Sequence, residues 1–188
     1  MRERASGARA ASPITIVLAA AIAAALPAAG PATGGDALAA APGVPKSSGL
    51  PVPRFVSLKA GRANVRVGPG EDYKVAWVFT RSGLPVEIIQ EYDNWRRVRD
   101  SDGSVGWIFH SLLSGRRTAV VAPWTGSQPR PIFARATADA PVAAYLEPGV
   151  MGDVDRCAEG WCRIAGPRFS GWIRQDQLWG VYPDEAIE

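Results

Sequence analysis

Two cysteines, one histidine and seven tryptophans are the side chains of this 188-residue sequence with the most chemistry to offer. Cys157 and Cys162 flank Ala-Glu-Gly-Trp. If Glu159-Gly160 form a two-residue hairpin turn, Ala158 and Trp161 make a hydrogen-bonded pair. The cysteines then fall opposite each other in the next, non-hydrogen-bonded pair, where Cα atoms come closest. A disulfide can close there without moving the backbone, and so short a loop would contribute roughly 2 kcal/mol. Two reduced thiols in a cytosolic core are the alternative, which export would disfavour. A thioredoxin-like redox pair has two intervening residues and this pair has four. Further ligands for zinc are absent from the neighbourhood, so no metal or cofactor is expected.

His110 would need a free thiol beside it to serve a Cys/His hydrolase, and a disulfide would consume both thiols. Gly68-Pro69-Gly70-Glu71 lacks the Lys-Ser/Thr of a phosphate-cradling loop. Asp153, Asp155 and Asp176 lack calcium-loop spacing. No catalytic set is visible, and the expectation is a protein that is not an enzyme. The aromatic residues point instead to packing and binding. Trp107 and Trp172 each precede a strand isoleucine and read as packing, while Trp124 and Trp179 are placed to stack between domains. Tyr73, Trp77 and Trp95 sit in or beside loops flanking one edge and, with Arg97, are the candidate contacts for a ligand. The other reading of the aromatics is that they only cover a core.

The elements that must position these residues occur twice. Gly83 precedes Trp95 by 12 residues, as Gly149 precedes Trp161, and Trp107 and Trp172 follow at 12 and 11. Val98/Ile164, Gly106/Gly171, Ile108/Ile173, Leu113/Leu178 and Gly115/Gly180 complete the match, so two similar domains are expected. In this alignment Glu91 and Arg96, an opposite-charge cross-strand pair, stand where the second copy has its cysteines. His110 aligns with Gln175 and reads as a replaceable surface polar group.

No segment of the folded part keeps helical periodicity beyond about two turns. The chain is expected to be all-β. Strands are predicted over 55–58, 63–67, 75–79, 84–91, 95–99, 105–109 and 118–121, with a 3₁₀ turn over 111–113. Gly68-Pro69-Gly70 is expected to make a turn, since Pro cannot donate to a ladder and Gly tolerates positive φ. Units of roughly 60 residues suit small closed barrels that are marginal alone, so the two are expected to pack together. The predicted layout is a signal peptide (1–39), a Pro/Gly/Ser-rich flexible tether (40–53), one barrel (54–121), a Pro-rich linker (122–131), a second barrel beginning at Ile132 (132–184) and a short tail (185–188).

The signal peptide rests on Arg2, Arg4 and Arg9, a 13-residue apolar run over 14–26, and Ala37-Leu38-Ala39 as a small-residue site. The alternative is a retained anchor, for which 13 residues are short of the about 20 that span a bilayer. Without residues 1–39 the chain has 18 basic and 16 acidic side chains. That balance argues against a phosphate-tracking surface and so against nucleic acid.

Asn64-Val65-Arg66-x-Gly68-Pro69-Gly70, the Gly83 turn, the Trp95 hairpin, Gly106-Trp107-Ile108 and Ser111-Leu112-Leu113 resemble the bacterial SH3-like (SH3b) domain. The closing 178–183 segment, Leu-Trp-Gly-Val-Tyr-Pro, together with Cys157-x4-Cys162, is similar to an exported two-copy proteobacterial subfamily. The likeness covers about residues 50–185 and is looser in the second copy, where Gly-Pro-Gly is missing. It implies tandem SH3-like barrels that target or tether to the cell envelope, with peptidoglycan or its peptide stems as partner and catalysis belonging to other domains. The alternative is a periplasmic scaffold whose second domain docks another protein through the clasped hairpin and 179–182, and not the cell wall.

Overall fold

The computed structural model describes residues 2–4, 47–124 and 126–188, and of 2–4 the backbone alone. Apart from Arg2–Arg4, the expected signal peptide and the first half of the tether lie outside the described residues. The strands in chain order are β1 (Arg2–Arg4), β2 (Arg54–Leu58), β3 (Ala63–Arg66), β4 (Val75–Phe79), β5 (Pro85–Tyr92), β6 (Trp95–Arg99), β7 (Val105–Phe109), β8 (Leu113–Ser114), β9 (Thr118–Val121), β10 (Arg130–Phe133), β11 (Val142–Leu146), β12 (Met151–Ala158), β13 (Trp161–Gly166), β14 (Phe169–Arg174) and β15 (Leu178–Trp179). One-turn 3₁₀ helices, His110–Leu112 and Gln175–Gln177, precede β8 and β15. The all-β expectation holds throughout the described residues.

The strands form two sheets with the same neighbour order. The first runs β4-β3-β7-β6-β5-β2-β8, with β1 added beyond β4, and the second runs β11-β10-β14-β13-β12-β9-β15. Each curls around its own core. Val65, Val86, Ile88, Val98 and Ile108 are central in the first, and Val121, Ile132, Ile164, Ile173 and the two cysteines in the second. Alternation along each strand sends these residues inward and leaves Asn64, Arg97 and Arg99, or Arg163 and Ser170, facing out. The repeated glycines mark where strands close in. A Cβ on Gly106 would collide with Val65, and one on Gly171 would stand 2.9 Å from Ile132. Both barrels therefore need the same bare backbone where β7 crosses β3 and β14 crosses β10.

The structure corrects the domain boundaries. Thr118–Val121 was expected to close the first barrel, but β9 pairs with β12 and β15 of the second. These are the partners that β2 has in the first barrel, β5 and β8. The second copy thus begins near Arg117, not at Ile132. The Pro-rich stretch 122–129 is a loop inside it, between β9 and β10, where the first barrel has only 59–62 between β2 and β3. Four extra residues at this point hid the first strand of the repeat. The true connection between barrels is short, 115–117.

The two barrels meet along the start of β5, as the marginal size of each demands. Trp179 Nε1 donates to Pro85 O at 3.3 Å and its ring meets Phe55 edge-on, 5.1 Å between centroids. Tyr182 packs on Phe55 at 4.7 Å and its hydroxyl donates to Glu87 Oε1 at 2.9 Å. Glu87, 2% exposed, also accepts from Arg99 Nε at 2.7 Å. Thr118 Oγ1 donates to Gly83 O at 2.7 Å. Gly180, at φ 122°, lies so close to Thr118 O that a side chain there would collide. Trp179 does bridge the barrels as expected, while Trp124 is 51% exposed in the β9–β10 loop. The segment expected to dock a partner, 179–182, is thereby used within the molecule.

Candidate functional site

The strand chemistry expected at the two hairpin ends is present. Ala158 pairs with Trp161 and Cys157 with Cys162, across the turn at Glu159 (φ 51°) and Gly160 (φ 77°). The disulfide is formed with Cα atoms 4.1 Å apart, and both cysteines are buried. In the first barrel Glu91 pairs with Arg96, with Arg96 Nε 3.1 Å from Glu91 Oε1. A one-residue bulge in each long strand, at Ile89 and at Asp155, keeps the two registers matched.

Glu91 has further partners that sequence reading missed. Ser48 donates to it from its backbone N–H at 2.6 Å and its hydroxyl at 2.7 Å, and Arg54 Nη2 at 2.6 Å. Burial would raise the pKa of this carboxyl, but the bonds from Ser48 and Arg54 and the charge of Arg96 outweigh it and hold it at about 2. Residues 47–53 were expected to belong to a flexible tether. Their Ser48 anchor and the bond from Arg54 Nη1 to Pro51 O attach them to the barrel instead.

Of the four expected contact residues, the structure gathers only some. Trp77 is 7% exposed and belongs to the core, edge-on to Phe79 at 6.2 Å, so its ring has no face left for a ligand. Tyr73 is 49% exposed, its ring lying flat on the Gly68-Pro69-Gly70 turn. Neither Gly68 nor Gly70 has positive φ. Gly68 is required because a Cβ there would strike the Tyr73 ring. Arg97 projects from the outer sheet face opposite Trp107, 3.3 Å from Gln90 Oε1.

Trp95 does line a groove. It shares a hollow of about 360 Å³ with Phe109, Leu112, Arg62, Asn64, Arg66 and Glu71. The volume lies at the low end of the about 300–1,000 Å³ of small-molecule sites. Trp95 and Phe109 meet edge-on at 5.5 Å and form its aromatic side. Arg66 is held in place by donating from Nη1 to Tyr73 O at 2.6 Å, which ties the exposed tyrosine to the groove wall. Two guanidinium groups, one carboxylate and one amide thus converge beside an apolar surface, an arrangement suited to a carboxylate-bearing ligand with an apolar body. The signal for Arg66 and Asn64 was in the sequence, since strand alternation puts both on the face opposite buried Ala63 and Val65.

The field around the groove favours the same ligand. Residues 54–117 carry eleven Lys/Arg against seven Asp/Glu, and residues 118–188 six against nine. The near balance of residues 40–188 conceals a basic first barrel and an acidic second. His110, exposed, tilts against Phe109 at 5.0 Å, and it has no free thiol to work with, since both cysteines are joined in the other barrel. No metal-binding group of His, Cys, Asp or Glu occurs among the described residues. No helix among them is long and apolar enough to cross a membrane.

No curated protein matches the chain. Among solved structures, NlpC1 and NlpC2 from Trichomonas vaginalis are similar at 15% and 16% identity, each with a TM-score of 0.31. The matches cover 72% and 68% of this chain and 48% of each of those chains, so the chain spans about half their length. The family model described as bacterial SH3 domain matches residues 59–115 and again 127–180. Each match begins after the opening strand of its barrel, β2 or β9, and runs through the closing 3₁₀ turn. With two matches over more than half its length and one strand order repeated in two sheets, the chain belongs to the bacterial SH3 domain family, as a tandem pair.

Proposed function

We propose that the chain is an exported, non-enzymatic binding module that recognises a cell-envelope component, peptidoglycan or its peptide stems, through the first barrel. The open groove beside Trp95 carries this reading, because it joins an aromatic surface to Arg62 and Arg66 on the more basic barrel. Peptide stems present carboxylates at close spacing along a chain with small apolar side chains, which is the chemistry that this groove complements. A disulfide in the second barrel fits an oxidising, extracytoplasmic compartment.

The test is co-sedimentation of the purified full chain with peptidoglycan sacculi stripped of bound protein. Saturable binding is expected, lost by about a hundredfold or more when Arg62 and Arg66 are both replaced by alanine, since each charged hydrogen bond is worth about 1.5–3 kcal/mol. Trp77 is unsuitable as a site variant because its removal opens the core. Binding equal to wild type in the folded Arg62→Ala, Arg66→Ala protein would place the ligand elsewhere.

A further inference from the structure

Strand register makes the two barrels comparable residue by residue. Arg66 pairs with Trp107 as Phe133 pairs with Trp172. Trp95 pairs with Phe109 as Trp161 pairs with Arg174. Phe133 therefore stands where the first barrel has Arg66, and Trp161 where it has Trp95.

The supporting loop is the same in both copies. Val67 N–H to Lys74 O, Gly70 N–H to Gly68 O and Tyr73 N–H to Gly70 O recur as Ala134 to Pro141, Thr137 to Arg135 and Ala140 to Thr137. What differs is the side chains. Arg66 is drawn to Tyr73 O and leaves the groove open. Phe133 instead sets its ring edge-on to Trp161, 5.6 Å between centroids at 88°, while the Arg174 guanidinium stands 5.5 Å from the same indole. The exposed Tyr73 of the rim becomes Ala140, 6% exposed.

We propose that Phe133 is a built-in plug, occupying beside Trp161 the place that ligand takes beside Trp95, so that the molecule binds once, through its first barrel. This rests on the reading of the Trp95 groove as the ligand site and adds two things to it. Arg66 and its counterpart Phe133 are the residues that decide which barrel binds. The ligand sets against Trp95 an apolar group of the kind that Phe133 sets against Trp161, next to a carboxylate held by Arg62 and Arg66. A peptide whose small apolar residue carries a free carboxylate meets both requirements.

The test labels the full chain with fluorotryptophan and follows Trp95 and Trp161 by fluorine NMR, each resonance assigned by its Trp→Phe variant. In Arg66→Phe the plug is moved to the first barrel. Its phenyl ring is expected to shift the Trp95 resonance, and sacculus binding is expected to disappear, where Arg66→Ala weakens it only about tenfold. In Phe133→Ala the Trp161 resonance is expected to move as the ring is lost. Soluble glycan-peptide fragments released from sacculi should shift Trp95 and leave Trp161 unmoved in the wild type. The plug is overturned if Trp161 answers to the fragments in the wild type, if folded Arg66→Phe binds as well as Arg66→Ala, or if Phe133→Ala leaves Trp161 unchanged. Should the resonances move as expected in both variants while neither sacculi nor fragments bind the wild type, the plug stands as a packing device and the envelope reading fails.

Discussion

The two barrels meet one structural demand with different chemistry. At the end of the β5–β6 hairpin Glu91 faces Arg96, and at the end of β12–β13 Cys157 faces Cys162. Each of these places also receives a passing segment of the chain. Ser48 donates to the Glu91 carboxylate, and Ile187 exchanges two backbone hydrogen bonds with Cys157, at 2.9 and 3.0 Å. The covalent clasp needs nothing from its neighbours and lies within an apolar core. The ionic clasp must satisfy buried charge, and does so by recruiting Arg54 and the 47–53 segment. At its hairpin end the first barrel is therefore held by a network that acid can undo, and the second by a bond that only a reductant can open.

The largest effects should separate these clasps. Glu91→Ala leaves Arg54 and Arg96 facing each other with no carboxylate, their side chains 17% and 10% exposed. Removing one member of so enclosed a set is expected to cost about 3 kcal/mol. Replacing Cys157 and Cys162 together by alanine is expected to cost about 2 kcal/mol. Urea unfolding with and without reductant checks both. Reductant should abolish the difference between wild type and the cysteine variant while leaving the deficit of Glu91→Ala intact. A Glu91→Ala protein as stable as wild type would show that the guanidinium groups find water and that the ion pair is peripheral.

Particular residues show how far the sequence could be read. The hairpin geometry followed from two-residue turns and period-two alternation, so both cross-strand pairs were legible to the register. The repeat was legible from Gly83 to Leu113 because most of its core positions are local to one hairpin and the next. It was lost at β9, where four extra residues before β10 broke the spacing, and a short apolar strand carries no label saying which sheet it joins. Trp77 illustrates another limit. It lies on a strand with Phe79, and burial of an aromatic at such a position depends on whether Gly106, far along the chain, lets the ring in. The groove lay partly in view, through Trp95. Arg62 and Arg66 were missed because charge was counted over residues 40–188 together, which averages a basic barrel with an acidic one.

A smaller effect tests whether the two barrels act as one body. Tyr182 reaches from the second barrel to Glu87 of the first, and Glu185 behind it is bound by Arg117 at 2.7 and 2.9 Å. Burial first, and then the bond to Glu87, raise the pKa of the Tyr182 hydroxyl, so it remains a donor through the neutral and mildly alkaline range. Tyr182→Phe leaves one oxygen of a buried carboxylate without this donor, at an expected cost of about 1–2 kcal/mol. Wild-type unfolding should be a single transition reported alike by all probes. In the variant the disulfide barrel and the ionic barrel should begin to separate, visible as non-coincident fluorescence and circular dichroism transitions. Coincident curves at unchanged midpoint would mean that Phe55, Trp179 and Thr118 hold the seam alone.

The smallest effect at working pH is the acid response of the ionic clasp. Glu91 titrates at about 2 in the folded chain against an ordinary value of 4.5. A depressed carboxyl pKa means that the folded state holds its proton less tightly than the unfolded state does. The stabilisation is thus complete above about 4.5 and declines as pH falls toward 2. Arg54, Arg96 and Ser48 are the groups that face this carboxylate, and the slope is assigned to Glu91 itself. Glu185, lowered by Arg117 and the Tyr182 N–H despite burial, adds a slope of the same sign from the other barrel. Against a Glu185→Gln background, adding Glu91→Gln should flatten the remaining dependence of urea midpoint on pH below 4.5, with no change in slope above it. A slope that survives both replacements would assign the acid response to other carboxylates and remove the contrast between an acid-labile hairpin end and a reductant-labile one.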